Sequence, residues 1–293
     1  MTTSEQDVPA SAFTRVKSAI RTVLFELELV VFFVTLLLTG YTNLILSQDQ
    51  TIRPFYPHDA TLWYKYSGDT IETSTLFILY YFIVSPFIYY VKLHYARKKK
   101  HLTARQQFVI AARWAFGMWN GTMTGILIVE LLKSYVGRLR PSFAQACLAQ
   151  RPPYPDNLLS KVFYTDADCP SLDRHLLHDM RRSFPSGHAA LGLGGAVYIQ
   201  LCLIAVAHEV KDDATATALL VVGWLFTTFG FAVGASRIVD AAHHVGDVAV
   251  GSLIGIWASS IQFWHVKGRI RRVERPFDRA EELQLQGGPV KEE

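Results

Sequence analysis

Three cations, two histidines and one aspartate stand in this sequence at spacings that suit phosphate chemistry. Lys133 and Arg140 are seven residues apart, Arg237 lies in a later stretch, and all three sit at the edges of apolar runs. A phosphate monoester near pH 7 carries about 1.5 to 2 negative charges and three strong acceptor oxygens. Arginine offers a planar fork to two oxygens at once, and lysine a point charge. At about 4 Å each contact is worth ~1 kcal/mol in water and ~4 kcal/mol at an effective dielectric near 20. A mouth between helices that excludes water therefore turns such a cluster into a strong anion site. The stretch Pro185, Ser186, Gly187, His188 adds a hydroxyl. Its glycine allows close approach, and a helix starting there presents backbone N–H donors.

His243 and Asp247 are four residues apart. On a helix they would share a face, and the carboxylate would accept the imidazole N–H. That contact fixes the tautomer and leaves the other ring nitrogen to attack phosphorus. His188 is then placed to give its proton to the departing alkoxide, a role open to a group with an unperturbed pKa near ~6.5. On the same helix His244 falls on another face, and Asp240 reads as a solvated surface charge. Each piece has a blander reading: cations snorkelling at the headgroup level, a surface His–Asp pair, a turn before a helix. Their common placement on one side of a membrane favours a site.

What must hold these groups is a membrane bundle. Half of the 293 residues are hydrophobic and the mean hydropathy is +0.18. Charge-poor runs at Leu29–Leu46, Thr73–Val91, Trp114–Val129, Ala189–Ala207, Ala214–Ser236 and Val248–Trp264 approach the ~20 apolar residues that cross a bilayer as helix. The expected fold is all-α, a polytopic membrane protein of six transmembrane helices with the active site at their extracytoplasmic ends. The first run is too long for a signal-peptide core and is read as an uncleaved span. Lys and Arg gather in the N-terminal tail, in the link after the second span and in the C-terminal tail, so both termini are expected in the cytoplasm. The expected division is a tail over 1–20, a six-span domain over 21–267 and a second tail over 268–293. The net charge of +4 is then a topology signal, and no nucleic-acid partner is expected.

Six spans leave one long connection, Lys133 to Gly187, on the outer side, and loops of that length in compact domains are usually functional or disordered. It carries Cys147 and Cys169, where a disulfide can persist; the sequence leaves their pairing open. Cys202 falls inside a span as a small apolar residue. The sequon Asn120, Gly121, Thr122 lies inside span three and is expected to be unglycosylated. Gly117, Gly121 and Gly125, with Gly192, Gly194 and Gly195, read as close helix packing and would also permit a homo-oligomer.

At this point the chain resembles the type 2 phosphatidic acid phosphatases, and among them the integral-membrane lipid phosphate phosphatases. The three-part signature of that family is met here by Lys133 through Arg140 and Pro141, by Pro185 to His188, and by Ser236 and Arg237 through His243 and Asp247. The likeness extends to the stretches RPFYPHDATLWY and VGRLRPSF and leaves the tails uncovered. It implies a metal-independent phosphohydrolase with no cofactor, acting on phosphatidic acid, lysophosphatidic acid and related lipid phosphates. It makes His243 the nucleophile, Asp247 its orienting group and His188 the acid, with Lys133, Arg140, Ser186, Gly187 and Arg237 on the phosphoryl oxygens. It places the enzyme in the plasma membrane or an endomembrane, with the site facing outside or the lumen. One departure is the missing glycosylation sequon in the long outer loop.

Three other readings share some of these features. A catalytically silent phosphate-lipid binding or signalling protein would keep the spans but lose motif residues. A transporter would place polar groups near the bilayer midplane on broken helices. A small-molecule phosphatase or a haloperoxidase-like oxyanion binder would share the cation cage.

Overall fold

A computed structural model describes residues 28–42, 44–45, 52–99, 102–148, 163–169 and 173–285, all of them helical or in connections without strands. The elements are α1 (Glu28–Thr42), α2 (Thr73–Lys98), α3 (Ala104–Val136), α4 (Phe143–Leu148), α5 (Arg174–Met180), α6 (Gly187–Ala207), α7 (Asp213–Val239) and α8 (Val245–Leu285). Five of them, α2, α3, α6, α7 and α8, are long and apolar enough to cross a membrane. At about 1.5 Å per residue, α1 falls short of the ~30 Å bilayer core, and residues 1–27 lie outside the described residues.

The helices start and stop where local chemistry directs. Thr103 and Gln106 form a reciprocal capping box at the head of α3, which satisfies two orphan N–H donors. Gly137 closes α3 in the left-handed region at φ 60° and returns its N–H to the Lys133 carbonyl. Ser186 caps α6, and Asp212 caps α7 by accepting from Thr215 N at 2.8 Å. The second apolar run continues to Lys98, with a π-helical segment over Ile78–Val84. The last helix, α8, runs unbroken from Val245 to Leu285, past residue 267.

The buried centre is α6, with α7, α8 and α3 against it and α2 packed on α3. Small residues set these approaches. A Cβ on Gly121 would stand 3.0 Å from Ser259 Cα, and one on Gly125 3.7 Å from Ala258 Cβ, so these two α3 glycines serve the expected close helix packing, here against α8. A Cβ on Gly195 would strike the Tyr80 ring, whose hydroxyl donates to the Gly192 carbonyl at 2.7 Å. Large apolar side chains such as Phe82, Leu225 and Trp257 point outward, as lipid requires of a spanning bundle.

Candidate active site

All three signature stretches converge at one end of this bundle. Gly137 turns the chain out of α3 just beyond Lys133, so Arg138 to Ser142 cross the helix ends. There Arg138 O accepts from Ser183 N at 3.0 Å, and Arg140 N donates to Met180 O at 2.8 Å. Asp247, in the first turn of α8, accepts from Ser186 N through its main-chain oxygen at 2.9 Å. The first and second stretches also meet directly, since a Cβ on Gly187 would lie 3.6 Å from Lys133 Nζ.

Ser186 spends its hydroxyl on capping, accepting from Ala189 N at 3.4 Å. The first N–H groups of α6 have no acceptor within the helix, which leaves an anion cradle at Gly187 and His188. His188 is held at its Nε2 by Thr73 Oγ1, 3.1 Å away, with Asp69 Oδ2 at 3.9 Å.

His243 is buried in the turn between α7 and α8, and the expected helical pairing with Asp247 does not form. The turn precedes α8, so the four-residue face rule has no helix to act on. Instead Nδ1 of His243 lies 2.6 Å from the Ser183 carbonyl, while Ser183 Oγ donates to Asp247 Oδ2 at 2.6 Å. Because a carbonyl only accepts, Nδ1 carries the proton and Nε2 keeps its lone pair. Burial, followed by the nearby Arg140 and Lys133 charges, holds the His243 pKa well below 6.5, and the Ser183 bond offsets them only in part. The other carboxylate oxygen of Asp247 takes Arg138 Nη1 at 2.7 Å. His244 turns away, with Nε2 at 3.1 Å from the Leu139 carbonyl. Ala241, two residues before His243, has φ 55°, a left-handed conformation that a residue with a Cβ adopts at a cost.

The cations are paired with acids that the motifs do not name. Lys133 reaches Glu130 at 3.1 Å, and Arg182 closes on the other oxygen of Glu130. Arg140 meets Asp179 at 2.8 Å, and Arg237 meets Asp69 at 2.6 Å and Asp240 at 3.1 Å. Asp240 is thus no solvated charge: it is buried, and both of its oxygens bind Thr70. Through Asp69 and Thr70 the connection before α2 docks on the site, and Thr73 adds the first residue of α2. Burial and the Asp69 bond push the Tyr66 hydroxyl, on that same connection, up to about 12. Among the described residues, Arg237 Nε and Arg182 Nη1 are buried donors with no hydrogen-bond partner. The charges acting on His188 come from Arg237, Asp69, Lys133 and Arg140, and those on His243 include the same three cations. All eight residues expected at the site therefore meet at this end.

Arg138, Arg182, Ser183, Glu130, Asp69 and Thr73 were not anticipated. The doublet Arg181–Arg182 ahead of the Pro185–His188 stretch was the available signal for Arg182; Asp69 and Thr73 reach the site only through tertiary folding. Cys147 and Cys169 form a disulfide that ties α4 to the loop after it.

The family model of the PAP2 superfamily matches residues 114–271, more than half of the chain. The chain belongs to the PAP2 superfamily. It is 32% identical over 139 residues to the probable diacylglycerol pyrophosphate phosphatase 1 of Schizosaccharomyces pombe, covering 47% of this chain and 48% of the relative. It is 30% identical over 142 residues to the putative phosphatidate phosphatase of Drosophila melanogaster, covering 46% and 36%. The chain thus spans about half or less of these relatives. A longer alignment, 23% identical over 233 residues, joins it to the diacylglycerol pyrophosphate phosphatase 1 of Saccharomyces cerevisiae, covering 79% and 76%. No solved structure matches the chain.

Proposed function

We propose that this PAP2 protein is a metal-independent lipid phosphate phosphatase that hydrolyses phosphate monoesters of phosphatidic acid, lysophosphatidic acid and related lipids. The observation that carries this reading is His243: its Nδ1 is committed to the Ser183 carbonyl, and burial beside Arg140 and Lys133 keeps it neutral. Nε2 attacks phosphorus, and the bond to the ester oxygen breaks. His188 gives its proton to the leaving alkoxide, which departs as the diacylglycerol or monoacylglycerol. Water then attacks the phosphohistidine, His188 takes back a proton, and the phosphorus–nitrogen bond breaks to release inorganic phosphate.

Lys133, Arg140 and Arg237, with the N–H groups at Gly187 and His188, hold the phosphoryl oxygens as charge builds. The Arg237 Nε and Arg182 Nη1 donors are suited to the same oxygens. Asp247 acts through Ser183. Phosphatidate and diacylglycerol pyrophosphate appear in the names of relatives, which supports a glycerolipid over a sugar phosphate. The arrangement of six spans, both termini in the cytoplasm and the site on the outer or lumenal face accords with the cation-rich links and with the disulfide in the long connection.

Phosphate release from detergent-solubilised protein, with EDTA throughout, tests the reading. Phosphatidic acid is compared with a soluble sugar phosphate, and His188→Ala serves as control. Lipid turnover that survives EDTA and vanishes in the variant is expected; no release by folded protein would assign the chain to phosphate-lipid binding. Quenching a reaction with phosphate-labelled lipid in alkaline detergent should trap a base-stable phosphoprotein that acid then releases, absent in His243→Ala.

A further inference from the structure

At the opposite end of the bundle, about 30 Å from His188 by the length of α6, a cavity of about 240 Å³ opens between α2, α3, α8 and the end of α6. Lys92, Lys99, Lys267 and Arg271 line it, against a single carboxylate, Glu209. Lys92 is 6% exposed. Its ammonium lies 4.2 Å from the centre of the Trp114 ring, and among the described residues it has no carboxylate or hydrogen-bond partner. Lys267 likewise rests on an aromatic, 4.9 Å from the Trp264 ring centre. Aromatic faces attract a cation, but a buried charge without an anion is costly. The site described above differs in kind from Lys92, because each of its cations already has an acid.

We propose that this cavity binds an anionic phosphate group, that of a lipid in the adjoining leaflet. Three features select a lipid headgroup. The cavity is smaller than the roughly 300–1,000 Å³ that enclose a whole drug-sized ligand, so it suits a head with its chains outside. It lies at the cation-rich membrane surface, where basic pockets between spans take anionic headgroups. Exposed Trp264, against Lys267 of the lining, offers apolar surface to the chains. The inference does not depend on turnover at His243.

Thermal unfolding of the full chain in neutral detergent tests it, with dioleoyl phosphatidylglycerol as probe. This phosphodiester is not a substrate for a monoesterase. Dioleoyl phosphatidylcholine and inorganic phosphate are the comparison arms. Phosphatidylglycerol should raise Tm by on the order of 5 °C at a hundredfold excess over Kd, and phosphatidylcholine should not. The rise should persist in His188→Ala and vanish in Lys92→Met. Lys92→Met should also unfold at a higher temperature than wild type without anion, since it deletes a buried charge that faces Glu209 without pairing with it. Lys267→Gln, partly exposed, should weaken the rise whether or not Lys92→Met folds. An equal rise with inorganic phosphate, lost in the same variants, would assign the cavity to a soluble phosphate compound and overturn the lipid. No rise with phosphatidylglycerol, or one that survives both lysine variants, would overturn the site.

Discussion

The main-chain carbonyl of Ser183 lies 2.6 Å from Nδ1 of His243 and does the orienting that a carboxylate does in many histidine sites. Asp247 stands one step back, gripping the Ser183 hydroxyl at 2.6 Å and Arg138 at 2.7 Å. A group that positions a ligand from behind typically contributes 10- to 100-fold. Ser183→Ala keeps the carbonyl but frees it to shift, so kcat should fall about tenfold to a hundredfold with KM little changed. Ser183→Thr, which keeps the hydroxyl, should recover most of the loss. Asp247→Ala should cost more, because it also leaves the His244 N–H, beside the nucleophile, without its acceptor. Steady-state kinetics on a short-chain phosphatidic acid would check the order; a Ser183→Ala enzyme with wild-type kcat would break the relay.

The depressed pKa of His243 sets the direction of two pH effects. The unfolded chain binds a proton near pH 6.5 that the folded chain refuses until well below it, so the unfolded state holds more protons in that window. Stability from this residue is complete above about pH 6.5 and is lost as pH falls toward the folded pKa. The nucleophile stays neutral over the same interval, so its acid limb in kcat/KM should lie below pH 6.5. Denaturation midpoints and kcat/KM measured across this range, with His243→Gln as reference for stability, would show both; a midpoint independent of pH would refute the linkage.

The residues with recognisable chemistry were legible in the sequence, because charges punctuate its long apolar runs, and although each alone has a bland reading their joint placement at the run ends does not. Lys133, Arg140, His188, Arg237 and His243 all come to one end of the bundle. The five long spans were legible for the same reason, although α3 and α8 extend well past their apolar runs. What was hidden is irregular or tertiary. Asp240 looked solvated because nothing local foretells that Thr70 and Arg237 cover it. The His243–Asp247 pair was misjudged because helical spacing was assumed across a turn that Ala241 bends into the left-handed region.

The Cys147–Cys169 bridge closes a separation of 22 residues. Loop-closure entropy for a ring of that size contributes about 3 kcal/mol. Cys147→Ser, or the double serine variant, should lower Tm by roughly 6–12 °C for a chain this long, and dithiothreitol should shift wild type similarly but leave the variant unchanged. The bridge braces α4, next to Arg140, so part of the activity should go with it; equal Tm in oxidised and reduced protein would remove the bridge as a brace.

Two glycines of α8 decide how closely the second and third signature stretches meet. A Cβ on Gly251 would fall 2.2 Å from the Ser186 carbonyl, and one on Gly255 2.1 Å from the Ala190 carbonyl. In both cases the obstacle is backbone that cannot rotate aside. Gly251→Ala must therefore push α8 off the head of α6 and pull Asp247 from Ser186, costing about 1–3 kcal/mol as overpacking does and far more in turnover, because a misplacement near 1 Å costs about a hundredfold. Gly268, on the same helix, has nothing within 4 Å of its would-be Cβ, and alanine there should stabilise by up to about 1 kcal/mol through helix propensity alone. Tm and kcat measured on the two variants side by side separate close approach from propensity. Matching effects at positions 251 and 268 would show that the contact between the stretches is not what holds the site together.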